Sequence, residues 1–215
     1  MISSTRGAAA SLTRAPFAGV VCAALLLAPL LHAQRDPKCP RLTPVSLFEQ
    51  THILADDDSK GPECTAFLIV LLGSSRYMPA LPIIVRLLDF EWPDPNHPDL
   101  PTHSYNPLWR YPAVRVLADD YQEVAAPAII EFLATAKPSP LARSHASYTL
   151  LWIYSKEKPE EAVKVLVRAS RASKDPAAAA RLWDAAVATE QECQRWRRDS
   201  AAACHAALTP ASPPR

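Results

Sequence analysis

Residues 126–133 read APAIIEFL, and residues 159–166, which lie 33 positions later, read PEEAVKVL. Both stretches carry apolar residues or proline at their first, fourth, fifth and eighth positions. This spacing places the apolar side chains on one face of an α-helix. The two stretches therefore predict two equivalent amphipathic helices at a fixed interval along the chain.

The same interval recurs outside these stretches. Ala113, Ala146 and Ala179, in the segments that alternate with them, are also 33 residues apart. Further upstream, the apolar pattern of 126–133 matches a set of residues at an offset of 46, namely Ala80, Ile83, Ile84 and Leu87. The excess over 33 predicts an insertion between the two helices of that unit, which we place at residues 90–107.

Proline and glycine usage predicts an all-α domain. Only Gly61 and Gly73 lie beyond residue 33, whereas β-rich folds use glycine freely in their turns. Proline recurs where helices are expected to start, because the first helical turn tolerates a missing N–H. We predict helices near 43–55, 62–73, 77–89, 109–121, 125–136, 140–155, 159–172 and 176–197.

A recurring pair of helices is the sequence pattern of an α-solenoid. The segment Leu87-Leu88-Asp89 and the later segment 113–118, AVRVLA, resemble the first-helix ending and second helix of the HEAT-repeat family. Asp175-Pro176 followed by Arg181 resembles the same pattern. The resemblance covers about residues 62–190 and implies short antiparallel helix pairs, with Asp and Arg paired between repeats as a ladder. An irregular helical bundle or another helical array stays open as an alternative.

The beginning of the chain has the layout of a secretory signal peptide. Residues 16–31 are uncharged and largely apolar, and Arg6 and Arg14 precede or border them without any acidic residue. We expect residues 1–33 to be removed after Ala33. The stretch is shorter than the roughly 20 residues that a membrane span requires. The rest of the chain is expected to be exported, either to a periplasm or to the medium, with no membrane span after cleavage.

Charge argues against a nucleic-acid partner. Loss of Arg6 and Arg14 would leave 21 basic against 22 acidic residues, and the cluster Arg195, Arg197 and Arg198 follows acidic residues. A protein that binds phosphates needs a basic excess on one face. We expect no nucleic-acid binding.

Four cysteines lie beyond the leader, and an even number in an exported chain predicts disulfides with three possible connectivities. Cys193 and Cys204 are 11 residues apart, about 16 Å along one continuous helix. That is too far for a bridge, so their bond requires a chain reversal near 199–200. We predict the pairs Cys193–Cys204 and Cys39–Cys64.

These features divide the chain into four segments. Residues 1–33 form the leader, 34–61 an N-terminal segment with the first helix, and 62–198 the helical-repeat domain with its proline-rich inserted loop. Residues 199–215 form a C-terminal hairpin and a disordered tail. We expect the tryptophans 152, 183 and 196 to pack in the core.

Common catalytic patterns are missing from the sequence. It has no H-E-x-x-H zinc motif, no G-x-S-x-G turn and no glycine-rich phosphate loop. The acidic stretch 56–61 fails as a calcium loop because Lys60 and Phe67 occupy positions that need oxygen ligands. We predict no catalytic residue, no cofactor and no metal.

The insertion is the least generic part of the chain. Its prolines exclude a regular helix, and the residues we select as candidate binding residues are Trp92, His97, His103, Tyr105 and Trp109. Its histidines and aspartates could alternatively ligate a metal, or its aromatic rings could simply cover the adjoining helices.

Taken together, the sequence favours an exported, non-catalytic interaction or scaffold module that binds a protein or a cell-envelope polymer. The alternative is a cell-envelope hydrolase that uses groove carboxylates, for which the candidates are Glu91, Asp94, Asp119 and Asp120.

Overall fold

Helices make up all of the regular structure in the part of the chain that the computed structural model describes, residues 46–56, 61–92, 110–155 and 158–209. This confirms the all-α prediction. All of these residues belong to one compact unit, Lys38–Arg215. The leader, Cys39, the greater part of the insertion and the C-terminal tail lie outside the described residues.

The elements follow one another in a simple order. The α-helices are α1 (Leu47–Asp56), α2 (Pro62–Ser74), α3 (Leu81–Arg86), α4 (Pro112–Arg115), α5 (Ala126–Ala134), α6 (Pro140–Tyr154), α7 (Glu160–Ala172), α8 (Pro176–Trp196) and α9 (Ala201–Leu208). Short 3₁₀ helices cover Met78–Ala80, Gln122–Ala125 and Arg198–Ser200, and a π-helix covers Val116–Tyr121.

Proline marks helix starts as predicted. Pro62, Pro112, Pro140 and Pro176 each occupy the first turn of their helices. Two of these starts also have a side-chain cap. Ser139 Oγ accepts a hydrogen bond from the Ala142 N–H, and Asp175 accepts one from the Ala177 N–H, which satisfies donors that the helix itself leaves unpaired.

The helix predicted for 109–121 is wrong as a single α-helix. The chain forms α4 and then changes to a π-helix that ends at Tyr121. The buried Tyr121 hydroxyl lies 2.8 Å from the Tyr77 carbonyl and 3.3 Å from the Leu72 carbonyl. Gln122 then leaves the helix with φ of 55°. These contacts are made with distant residues, so local helix propensity does not reveal them.

The helices pack in two rows. The first row is α2, α4 with the π-helix, α6 and α8, each in contact with the next, and the second row is α1, α3 and α5. Helix α7 packs against α6, α8 and α9. Each helix buries its apolar face against the neighbouring helices, so one continuous hydrophobic core includes residues from α1 to α9.

Burial corrects the predicted offset of 46 between the first unit and the second. Helices α3 and α5 both follow a 3₁₀ helix and both carry proline at their second position, Pro82 and Pro127, 45 residues apart. Four buried pairs share this offset: Ala80 with Ala125, Leu81 with Ala126, Ile84 with Ile129, and Leu88 with Leu133. Ile83 and Leu87, which suggested the offset of 46, are only half-buried. The sequence pattern could not separate the two offsets, because adjacent apolar positions fit one helical face almost equally well.

Gly73 allows α2 to approach the π-helix closely. A Cβ atom built on Gly73 would lie 2.0 Å from Val116 Cγ1 and 2.8 Å from Val116 Cγ2. Val116 is fully buried. Any side chain at position 73 would therefore push against a packed core side chain.

The C-terminal hairpin is confirmed. Cys193 in α8 and Cys204 in α9 form a disulfide with a Cα–Cα distance of 6.4 Å, and Arg198–Ser200 make the chain reversal between them. The buried Glu190 carboxylate lies 3.1 Å from His205 Nδ1 and adds a second tie between these helices. Cys64 is also disulfide-bonded, to a partner outside the described residues, so Cys39–Cys64 stays a prediction.

The expectation that the three helical tryptophans pack in the core is wrong for two of them. Trp183 is 38% exposed and Trp196 is 43% exposed, while Trp152 is half-buried. The buried face of α8 runs through small residues such as Ala186, which leaves Trp183 at its edge. Trp196 is the last residue of α8, and its indole N–H donates to Glu192.

Candidate functional site

The two ends of the insertion are joined to each other. The Trp92 N–H donates to the Arg110 carbonyl at 2.7 Å, and an Arg110 guanidinium nitrogen lies 2.5 Å from a Glu91 carboxylate oxygen. The two residues that border the segment 93–109, Trp92 and Arg110, are therefore in direct contact. We call this pair of contacts the clamp.

His145 contacts both of the chain segments that border the insertion. Its Nδ1 lies 2.7 Å from the Leu88 carbonyl oxygen, and its ring centre lies 4.0 Å from that of Tyr111. Because a carbonyl oxygen only accepts, Nδ1 carries the proton. Burial lowers the pKa of His145, against the opposing effects of the Leu88 carbonyl, Asp89 and Glu91.

Asp89 and Tyr111 complete the base of the insertion. The Ser139 hydroxyl donates to the Asp89 carboxylate at 2.6 Å, so the turn after α3 is tied to the start of α6. Under the resemblance, Asp89 was expected to pair with an arginine, and in the structure it accepts from a serine instead. Burial raises the pKa of Tyr111, and the nearby Glu91 raises it further.

Arg181, which the resemblance placed in the same ladder, also lacks, among the described residues, the expected ion pair with an aspartate of a neighbouring repeat. Its Nε donates to the Ala134 carbonyl of the preceding unit at 2.6 Å, and its acidic partner at 3.7 Å is Asp175 of its own unit. Contact between units therefore runs from a guanidinium to a main-chain carbonyl. The sequence could not predict these arginine–carbonyl bonds, because every residue has a main-chain carbonyl and no residue type marks the acceptor.

The structure describes one of the five candidate binding residues. Trp92 is half-buried at the edge of the clamp. The other four, His97, His103, Tyr105 and Trp109, lie outside the described residues. The structure adds that the residues on either side of this segment, Trp92 and Arg110, lie next to each other.

The carboxylates proposed for hydrolysis lie in different surroundings. Glu91 is ion-paired in the clamp. Asp119 is exposed and lines a cleft of about 520 Å³, whose lining residues do not include Glu91 or the half-buried Asp120. Asp94 is outside the described ranges. Within those ranges, no group of three or more His, Cys, Asp or Glu side chains could hold a metal ion.

The Asp119 cleft contains two residues with strained backbones, which the sequence did not indicate. Arg76 has φ of 48° and Gln122 has φ of 55°, and both line the cleft beside Tyr121. Positive φ is uncommon for residues other than glycine and costs about 1–3 kcal/mol for each residue. The Tyr121 hydroxyl, through Tyr77, holds the turn that carries Arg76.

Neither a protein-family model, nor a curated protein, nor a solved structure matches this chain. Among the helices of the described residues, none has the length and apolar character needed to cross a membrane. Function must therefore be inferred from the residues of the chain themselves.

Proposed function

We propose that this protein is an exported, non-catalytic interaction or scaffold module, in which HEAT-like helix pairs present the inserted segment 93–109 to a protein or a cell-envelope polymer. The observation that supports this proposal most strongly is the clamp. It fixes both ends of the segment at one place on a packed helical body.

The clamp lowers the cost of binding through the inserted segment. A loop with both ends held in place has fewer conformations to lose when it is ordered on a partner. The prolines of the segment restrict it further, and aromatic side chains such as Tyr105 and Trp109 are the kind that dominate interface energies. Long inserted loops in compact domains are commonly functional.

The repeat and export parts of the proposal have separate support. The two rows of helices and the buried pairs at an offset of 45 are what stacked helix pairs would produce. The Cys193–Cys204 disulfide and the bonded Cys64 suit an oxidising compartment, and the leader predicted at 1–33 would bring the chain there.

The test is to replace residues 93–109 with a short Gly/Ser linker and to change Trp92 to Ala in a separate variant. Both variants and the parent protein are used as bait in extracts of the cell envelope, with cross-linking and quantitative mass spectrometry. We expect the linker variant to melt within a few degrees of the parent, because the clamp residues are retained, and to lose its specific partners.

Trp183→Ala is the matched control, because it removes another exposed tryptophan at a distance along the chain from the insertion. It should leave capture unchanged. Unchanged capture by the linker variant together with a lowered melting temperature would contradict the proposal, since the segment would then be only a cover for the helices.

A further inference from the structure

A groove that is separate from the Asp119 cleft lies between α6 and α8, in a part of the chain that the proposed function does not use. We call it the second groove. Its volume is about 610 Å³, within the range of ligand-binding pockets. Its lining is mainly polar or small: Leu133, Pro140, Arg143, Ser144, Ser147, Arg181, Asp184, Ala185, Ala188, Gln191 and Glu192.

Two arginines define one end of this groove. Arg143 donates to the Leu133 carbonyl at 3.2 Å and to the Thr135 carbonyl at 2.7 Å, and Arg181 donates to the Ala134 carbonyl between them at 2.6 Å. The two guanidinium groups therefore flank the same end of α5. Each keeps further N–H donors beyond these bonds.

Few carboxylates directly contact these two cations. Within the described residues, Arg143 has no carboxylate within 4.0 Å, and the acidic partner of Arg181 is the exposed Asp175 at 3.7 Å. The carbonyl end of α5 supplies only a partial negative charge. An anion with two acceptor oxygens would match the forked donors of both side chains.

Ser147 supplies a second, independent sign of a ligand. It lies one helical turn beyond Arg143, it lines the groove, and it is 1% exposed. Its hydroxyl has no hydrogen-bond partner in the described part of the protein. The other two fully buried helical hydroxyls behave differently, since Thr149 and Thr189 donate to the carbonyls four residues earlier at 2.6 and 2.8 Å. Buried polar groups are normally satisfied.

The groove changes charge along its length. From Arg181 to Glu192 is 11 residues, about 16 Å along α8. Asp184, which makes no ion pair within the described residues, follows Arg181 by one turn. Gln191 and Glu192 lie at the far end, where the Glu192 carboxylate also accepts hydrogen bonds from Arg195 and from the Trp196 indole. The floor between the ends consists of small side chains such as Ala188. A slender ligand with opposite charges fits this arrangement.

We propose that this groove binds an extended peptide segment of about five residues that carries a carboxylate at one end and a cationic group at the other. An extended chain rises about 3.3 Å per residue, so five residues match the length of the groove. The carboxylate lies against Arg143 and Arg181, the Ser147 hydroxyl donates to a peptide carbonyl, and the cationic group faces Glu192 at the far end. This site is separate from the inserted segment.

The experiment titrates the full protein with capped peptides by calorimetry and by NMR of the arginine Nε–H groups. The probes are acetyl-Glu-Ala-Ser-Ala-Lys-amide, its neutral form acetyl-Gln-Ala-Ser-Ala-Gln-amide, and acetyl-Lys-Ala-Ser-Ala-Lys-amide. The first should bind at least about tenfold more tightly than either of the others, because only it offers a carboxylate to the arginine end. It should also shift the Nε–H signals of Arg143 and Arg181.

Ser147→Ala separates binding from folding. It should weaken the first peptide about threefold to tenfold and leave thermal stability unchanged, since the hydroxyl has no protein partner to lose. Thr149→Ala is the matched control: it removes a bonded hydroxyl, lowers stability and leaves peptide affinity unchanged. Arg181→Gln should weaken the peptide at least about tenfold, and Asp199→Asn, outside the groove, should not.

Three results would overturn this proposal: equal affinity for the charged and neutral peptides, no binding at millimolar peptide, or Ser147→Ala lowering the melting temperature without changing affinity. The linker variant of 93–109 should bind the peptide like the parent. Failure of the inserted segment to capture a partner and failure of this groove to bind peptide are therefore distinguishable.

Discussion

The imidazole of His145 and the main-chain carbonyl of Leu88 are joined by a hydrogen bond of 2.7 Å, although 57 residues separate them in the chain. This bond ties α6 to the turn that follows α3. His145 is neutral when it is buried there, since burial lowers its pKa. The unfolded chain has a histidine pKa of about 6.5, so acid favours the unfolded state.

We therefore expect the contribution of His145 to the free energy of unfolding to be fully retained above pH of about 6.5 and to decrease as the pH falls from there toward the pKa of this histidine in the folded protein. His145→Asn should cost about 1–2 kcal/mol at neutral pH, because it loses ring packing. It should also make the decline between pH of about 7 and 5 shallower. Urea unfolding at several pH values measures both effects, and His52→Asn, an exposed histidine, should change neither.

Gly73→Ala should destabilise the protein by about 1–3 kcal/mol, because the added methyl group overlaps Val116. Val116→Ala alone should also destabilise it, by removing buried apolar atoms. The double variant Gly73→Ala, Val116→Ala should lose less stability than the sum of the two single losses, since the smaller side chain at 116 leaves room for the methyl group at 73. Chemical denaturation of all four proteins tests this coupling, and strict additivity would contradict it.

Tyr121→Phe should cost about 1–2 kcal/mol at neutral pH, because the Leu72 and Tyr77 carbonyls lose their hydroxyl partner. Burial raises the pKa of Tyr121 to about 12. The unfolded value is about 10, so the contribution of Tyr121 is present below pH of about 10 and is lost as the pH rises from there to about 12. Ultraviolet absorbance should show one fewer late-titrating tyrosine in the variant than in the parent protein.

Replacement of Cys193 and Cys204 by serine should lower the free energy of unfolding by about 2–4 kcal/mol, because the open chain gains entropy when it unfolds. Proteolysis should then cut first near 198–200, where α9 is released from α8. A reducing agent should reproduce the effect in the parent protein. Stability that is unaffected by the double replacement would show that helix packing alone holds the hairpin.

The sequence predicted the fold wherever the deciding interactions are local. Proline at residues 62, 112, 140 and 176 starts helices because its missing N–H has no partner in the first turn anyway. The spacing of Cys193 and Cys204 required a chain reversal and thereby predicted the hairpin. Both features follow from the covalent geometry of a short stretch of chain.

Interactions between distant segments were beyond such arguments. The π-helix that ends at Tyr121 depends on carbonyls more than 40 residues earlier. The arginine end of the second groove depends on Arg143 and Arg181 meeting three consecutive carbonyls. The exposure of Trp183 depends on which neighbour α8 faces, and alanine on several sides of that helix leaves its orientation undefined in the sequence.

The clamp between Trp92 and Arg110 also has a consequence for engineering. Because Trp92 and Arg110 lie next to each other, a folded guest protein whose own termini lie close together could take the place of residues 93–109. Loop-closure entropy rises only with the logarithm of length, so the host would lose little stability. The helical body would then serve as a carrier that displays a cargo of choice.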